Sequence, residues 1–372
     1  MEKKQAILSL GSNLGNRLEL LQKALILLEN ASLNLTALSS IYETPAWGFE
    51  STPFYNACAQ IETSLSPQEL LSHFLQVEAQ LGRIRQQTEG YTARKLDIDL
   101  LFYDGLVVAT DTLTLPHPKL HIRNFVLVPL QEIAPQWEHP ILNLPVTELL
   151  LQCPDPDQIE KLPYATWSPP IFDAFPFIAI EGNIGVGKTT LAQKMAAHYN
   201  LPLVEEAYAQ NPYLEKFYTD PKKHALAVET YFLEDRLQQA KIFWEGNPAA
   251  AISDFTLQKS LIFAAQNLTE TDYQAYHKRF AQKLARQKLP DLVVYLHTDI
   301  DTLQRQIKQR GRPYEENITR TYLEQIAQGY SDYIQSDLPY PVVSISTQAL
   351  DFKANDFDFH RLLRLIYRAS FS

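Results

Sequence analysis

The chain is short of cysteine, methionine and glycine, with two, two and twelve of them in 372 residues. Cys58 and Cys153 stand far apart without metal-site spacing, so a disulfide framework or a zinc module is excluded. No apolar run is long enough to cross a bilayer. The opening run Ala6-Ile7-Leu8-Ser9-Leu10 is too short for a signal peptide, so a cytoplasmic address is expected. Positive charge is also in deficit. Lys and Arg number 33 against 43 Asp and Glu, a net charge of -10, which argues against general nucleic-acid affinity. A local cluster of Arg and Lys could still hold a small phosphorylated ligand. No internal repeat is visible.

What remains is ordinary globular material, 45% hydrophobic and 20% charged, in about twice a common single-domain length. Two domains are the natural expectation. Proline marks the joint: Pro154, Pro156, Pro163, Pro169, Pro170 and Pro176 crowd one stretch without sustained apolar period. This predicts domains over 1–152 and 177–372, with a stiff connector over 153–176. In the first half, Leu18, Leu21, Leu25 and Leu28 sit at helical spacing after a strand over about 5–10. Extended runs follow near 35–43 and 56–63. A second helix opens after Ser66-Pro67 and ends near Gly82, and a strand runs from Leu96 to Phe102. That mixture predicts an α+β domain. The second half predicts a parallel α/β sheet flanked by helices, with helical stretches over about 221–245, 256–287 and 319–335.

Gly182-Asn183-Ile184-Gly185-Val186-Gly187-Lys188-Thr189 satisfies G-x-x-x-x-G-K-[ST] between an apolar strand and a helical run. Such a loop converges backbone N–H groups on phosphate oxygens at a helix N-terminus. Lys188 is expected on the β- and γ-phosphates of ATP and Thr189 on Mg²⁺. In the first half, Asp97 and Asp99 alternate on a strand, so their carboxylates share one face and suit Mg²⁺. Arg83, Arg85, Arg94, His117 and Arg123 could supply a positive surround for a triphosphate. Read from residues alone, this is metal-assisted chemistry on a phosphate ester.

Beyond the P-loop, the second half resembles the deoxynucleoside kinases, whose opening looks like Ile180-Glu181 through Lys188-Thr189-Thr190. The resemblance covers about Phe177 to Phe352. It implies a general-base glutamate at Glu205-Glu206, ahead of Asn211-Pro212; spacing favours Glu206. It further implies a lid carrying Arg310 and Arg312 that answers charge on the transferred phosphoryl group. Glu229 occupies the place of a base-reading glutamine. Asp254 and Lys259 stand where relatives carry an Arg and then an Asp, as if exchanged. An ionised glutamate only accepts, so it suits the N1–H and N2–H₂ of guanine, and a purine deoxynucleoside is expected. These kinases usually pair through helices, which implies a homodimer.

The first half, over about 5–150, resembles hydroxymethyl-dihydropterin pyrophosphokinase. Its signature includes Tyr42-Glu43-Thr44-Pro45-Ala46-Trp47-Gly48, Phe54-Tyr55-Asn56 and Arg94-Lys95-Leu96-Asp97-Ile98-Asp99. The resemblance implies a ferredoxin-like fold and two Mg²⁺ on Asp97 and Asp99. Glu78, Arg83, Arg85, Arg94, His117 and Arg123 would contact the nucleotide, with Arg85 and Arg94 aiding transfer. Thr44, Pro45, Trp47, Phe54, Asn56 and Phe125 would form the pterin slot. The family's Trp-Gly-Pro-Arg loop reads Tyr91-Thr92-Ala93-Arg94 here, and losing proline predicts a looser loop. Two rival readings stand beside this bifunctional one. The second half could be a nucleoside monophosphate kinase, or the first a non-catalytic pterin-binding scaffold.

Overall fold

The computed structural model describes residues 3–30, 32–83, 92–163, 167–285 and 287–371. Two compact units divide between Pro169 and Pro170.

The first unit opens with β1 (Lys4–Ser12), α1 (Arg17–Leu28), β2 (Leu33–Leu38), β3 (Tyr42–Thr44), β4 (Phe54–Thr63) and α2 (Pro67–Gln80). It continues through β5 (Asp97–Tyr103), β6 (Val108–Ala109), β7 (Thr114–Leu115), α3 (Asn124–Ile133), α4 (Val146–Leu151) and β8 (Glu160–Lys161). Its main sheet runs β5-β1-β4-β3-β8, with β2 also on β4, and its strands pair antiparallel among the described residues. Leu21, Leu25 and Leu28 of α1 are fully buried, as their spacing predicts. Ser66 caps α2 in a reciprocal capping box with Glu69. The Pro-rich stretch belongs largely to this unit. β8 adds to β3, and the wholly buried Trp167 donates from Nε1 to the Ser39 carbonyl at 2.8 Å. The expected connector is thus a strap with its own anchors.

The second unit comprises α5 (Ile171–Ala174), β9 (Phe177–Gly182), α6 (Lys188–Tyr199), β10 (Leu203–Val204), α7 (Leu214–Thr219), α8 (Pro221–Glu245), β11 (Ala251–Ser253) and α9 (Lys259–Asn267). Then come α10 (Glu270–Leu284), β12 (Leu292–His297), α11 (Ile300–Arg310), α12 (Arg320–Gln335), β13 (Val342–Ser346) and α13 (Asp356–Tyr367). The sheet is parallel, in the order β10-β11-β9-β12-β13. β9 is buried throughout and β12 nearly so, consistent with helices covering both faces. The stretch expected as one helix over 256–287 is two. Leu268 is extended, and the Thr269 side chain caps α10 by accepting from Asp272 N. The terminal helix α13 went unpredicted, although Asn355 caps it and Phe359, Leu362, Leu363 and Ile366 repeat on its buried face. Among the described residues no helix is long and apolar enough to cross a membrane.

Candidate functional sites

In the second unit, β9 ends in the P-loop and α6 starts at Lys188. Gly182 has φ +147°, and a Cβ there would lie 2.3 Å from the Leu296 carbonyl oxygen, so only glycine fits. Lys188 Nζ donates to the carbonyls of Gly182 (2.8 Å) and Asn183 (2.9 Å). Burial and then Lys259 push its ammonium down to about 8, against the pull of Glu181, Glu206 and Asp254. The Asn183 side chain is committed elsewhere: Nδ2 donates to Leu323 O at 2.7 Å, so only its backbone can face a phosphate. Thr190 follows on α6 and does not line the cleft.

That cleft, about 820 Å³, runs from Lys188 and Thr189 past Glu206 and Arg236 to Glu229 and Asn267, with Arg310 and Arg312 at its rim. Burial alone would raise the Glu206 carboxyl, yet Arg236 and Lys259 hold it far below the ordinary range. Arg236 reaches Glu206 Oε1 through Nε at 2.7 Å and Nη2 at 2.5 Å, and Lys259 Nζ reaches Oε2 at 2.5 Å. Glu205 is exposed and accepts from Gln193 at 2.7 Å. Asp254 departs from its expected place with the nucleoside. Its carboxylate, directly after β11, accepts from Thr189 Oγ1 at 2.5 Å and from Glu206 N at 2.8 Å, which sets it beside the P-loop. Lys259 likewise serves Glu206. Glu229, 3% exposed on α8, accepts from Asn267 Nδ2 at 2.7 Å. Arg310 and Arg312 both clasp the buried Glu315, at 2.6 Å and 3.2 Å, and Arg312 also donates to the Tyr208 hydroxyl.

Sequence reasoning missed Arg236, Asn267 and Glu315. Arg236 lies seven residues after Glu229, two turns along the same helix, which is the signal that could have found it.

The first unit holds a second cleft of about 480 Å³. Thr44, Pro45, Trp47, Phe54, Asn56, Arg94, Asp97, Asp99, Arg123 and Phe125 all line it, and Phe49 joins them. Asn56 Nδ2 donates to Thr44 Oγ1 at 2.8 Å. The Arg123 guanidinium lies 4.7 Å from the Trp47 ring centre and 5.5 Å from that of Phe125, whose rings tilt 6.5 Å apart. Asp97 and Asp99 share the cleft side of β5, while Ile98 and Leu100 fill the other. Arg83 bonds Asp97 at 2.5 Å and Arg94 does so at 2.9 Å. Burial, then repulsion from Asp97, lifts the Asp99 carboxyl to about 7. Burial and Arg123 lower His117 to about 4, so it is a neutral imidazole, and it does not line the cleft.

Glu78 requires a correction. It is 2% exposed, and its Oε1 accepts from Arg83 and from Ile98 N at 2.9 Å, so it braces Arg83 and β5. Arg85 and Tyr91 lie outside the described residues.

The two clefts define a transferase of phosphorus-containing groups with two separate sites. The profile of 7,8-dihydro-6-hydroxymethylpterin-pyrophosphokinase (HPPK) matches residues 7–135, and that of deoxynucleoside kinase matches residues 178–369. The chain belongs to both families, one through each unit. Deoxyguanosine kinase of Bacillus subtilis is 34% identical over 196 residues, 50% of this chain and 94% of that protein. Deoxyadenosine kinase of Dictyostelium discoideum is 34% identical over 176 residues, 45% of this chain and 71% of that protein. The 2-amino-4-hydroxy-6-hydroxymethyldihydropteridine pyrophosphokinase of Porphyromonas gingivalis is 44% identical over 136 residues, 36% of this chain and 92% of that protein.

Proposed function

We propose that the second unit phosphorylates the 5′-hydroxyl of a purine deoxynucleoside with ATP, and that the first transfers pyrophosphate from ATP to 6-hydroxymethyl-7,8-dihydropterin. The observation that carries the kinase reading is Glu206, ionised between Arg236 and Lys259 in the same cleft as the P-loop residues Lys188 and Thr189 and the buried Glu229. A base held so acidic is a weak proton acceptor. Phosphoryl transfer tolerates this, because in its loose transition state the hydroxyl needs orientation more than early deprotonation. Glu206 orients the hydroxyl and takes its proton late. Lys188 holds the phosphates of ATP, and Arg310 and Arg312, preset by Glu315, answer the charge of the transferred group. Purine preference is supported by the buried acceptor Glu229 at the far end, and by relatives named deoxyguanosine and deoxyadenosine kinase.

In the first unit the fit to a metal is chemical. Two hard carboxylates on one strand face, with Asp99 lifted by Asp97, favour a divalent cation between them. Among the described residues no third His, Cys, Asp or Glu joins them, which suits Mg²⁺, since it keeps water and substrate phosphates as ligands. Asp97 and Asp99 would hold Mg²⁺, and Thr189 with Asp254 would do so in the second unit. Bound there, Mg²⁺ would neutralise phosphate charge. Trp47 and Phe125 flank the pterin, and the Asn56 amide offers polar contacts at its edge. We also assign this unit a ferredoxin-like architecture, supported by the antiparallel order β5-β1-β4-β2 with α1 and α2 as crossovers. A cytoplasmic homodimer formed through the kinase unit completes the reading.

The test is a substrate panel on the full chain. Purine deoxynucleosides should be phosphorylated ahead of thymidine and ahead of any nucleoside monophosphate. The pterin alcohol should release AMP. A clear thymidine preference discards the purine reading, and absent AMP release leaves the first unit a pterin-binding scaffold.

A further inference from the structure

The Glu229 carboxyl group, in the cleft of the second unit, has unequal oxygens. Glu229 Oε1 accepts from Asn267 Nδ2 at 2.7 Å, whereas Oε2 is buried without a hydrogen-bond partner. Both residues line the cleft, beside the rings of Phe232 and Phe263. A buried carboxylate oxygen without a partner is costly unless a ligand or a proton meets it.

We propose that Glu229 and Asn267 act as one purine reader, taking deoxyguanosine when Glu229 is ionised and deoxyadenosine when Oε2 carries a proton. The inference rests on the purine reading above and names how that site sorts its bases. The Asn267 amide fixes Oε1 as an acceptor in both states, so an arriving proton settles on Oε2. Ionised, the pair presents two acceptors, matching the N1–H and N2–H₂ donors of guanine. Protonated, it presents a donor at Oε2 and an acceptor at Oε1, matching N1 and the N6–H of adenine. Each mismatched combination sets donor against donor or acceptor against acceptor inside a buried site, which is where hydrogen-bonding selectivity is strongest.

The surroundings allow Glu229 to change state near neutrality. Burial lifts its carboxyl to about 7; Asn267, Arg236 and Lys259 oppose the rise, and Glu206 adds to it. The other titratable groups facing it are Tyr218 from α7, Tyr276 from α10 and Tyr322 from α12. Burial raises all three, so they stay neutral. Glu206 stays ionised. Lys188 titrates in the phosphate loop, is common to both reactions and therefore cancels from a ratio of substrates.

The experiment measures kcat/KM for deoxyguanosine and deoxyadenosine with the full chain, at fixed ATP and Mg²⁺. The guanosine-to-adenosine ratio is expected to rise by up to about 100-fold between about pH 6 and about pH 8, as one group changes charge. Glu229→Gln carries a permanent donor and acceptor. It should favour deoxyadenosine and flatten the pH profile of the ratio. Asn267→Ala should make the profile shallower, because the proton can then occupy either oxygen. A ratio that stays flat in the wild-type protein while both purines react overturns the proton-sorting pair and leaves the purine reading standing. If neither purine reacts and a pyrimidine does, both readings fall together.

Discussion

Replacing Lys188 by methionine should make the second unit more stable while abolishing phosphoryl transfer. The folded chain holds this ammonium at about 8, against 10.5 for a free lysine, chiefly through burial and the neighbouring Lys259. That gap corresponds to about 3 kcal/mol of disfavoured ionisation. The side chain is only partly shielded from solvent, so about 2 kcal/mol is the better figure. Methionine forfeits the hydrogen bonds to Gly182 O and Asn183 O, which water in the open cleft largely replaces, returning about 1 kcal/mol. The net gain of about 1 kcal/mol should raise the melting temperature of the second unit by about 2–4 °C. Because the folded lysine binds its proton less readily than the unfolded one, its cost is complete below about pH 8 and vanishes as pH climbs towards 10.5. The variant's advantage should therefore be greatest near neutrality and disappear in alkali, where only the lost hydrogen bonds count and the parent becomes the more stable by about 1 kcal/mol. Calorimetry on the full chain reads it, following the transition that ATP protects in the parent. Deoxynucleoside phosphorylation should fall by at least about 10³-fold, since a preorganised charge at the phosphates is removed. A variant that melts lower at every pH, or a gap indifferent to pH, refutes the desolvation argument. Retained activity refutes the role of Lys188.

Three further outcomes can be checked. Glu206→Gln should slow deoxynucleoside phosphorylation by about 10²–10⁴-fold and, by stranding Arg236 and Lys259, cost about 3 kcal/mol in a denaturation titration. Glu205→Gln, altering an exposed partner of Gln193, should keep the rate within about twofold. Joint replacement of Asp97 and Asp99 by asparagine should abolish AMP release from the pterin substrate while leaving deoxynucleoside phosphorylation at its parental rate; parallel loss of both activities would contradict separate sites. Thr269→Ala should cost about 1 kcal/mol, seen as a fall of about 2–4 °C in melting temperature, because it removes the cap that divides α9 from α10.

That helix break shows where the sequence was legible and where attention went to the wrong signal. The apolar period carries on through 256–287, and period alone predicts one long helix. The Thr269-Glu270-Thr271-Asp272 run is a capping pattern, and an N-cap residue takes extended backbone before the helix it opens, so the turn at Leu268 follows. The same oversight hid α13, whose Asn355 cap is equally plain. The Pro-rich stretch erred in the other direction. Proline composition indicates stiffness and absent donors but says nothing of a tryptophan such as Trp167, whose burial is fixed by Ser39 128 residues away.

The sites follow a similar division. Groups that lie within one element could be placed directly: Asp97 and Asp99 by strand period, and Lys188 and Thr189 by the glycine loop that opens a helix. Groups that cooperate across elements could not. Glu206 lies two residues past β10, Arg236 lies on α8 and Lys259 opens α9, so their meeting depends on sheet order. Yet the need for such a meeting was present in the residues themselves. A carboxylate proposed as a buried catalytic base must find cations close by, since an unpaired buried charge is costly. The exchange of Arg and Asp for Asp254 and Lys259 looked at first like a change in how the nucleobase is read. In three dimensions Lys259 lies on Glu206 and Asp254 on Thr189, so charge pairing beside the P-loop accounts for both residues, whereas Glu229 is met by Asn267.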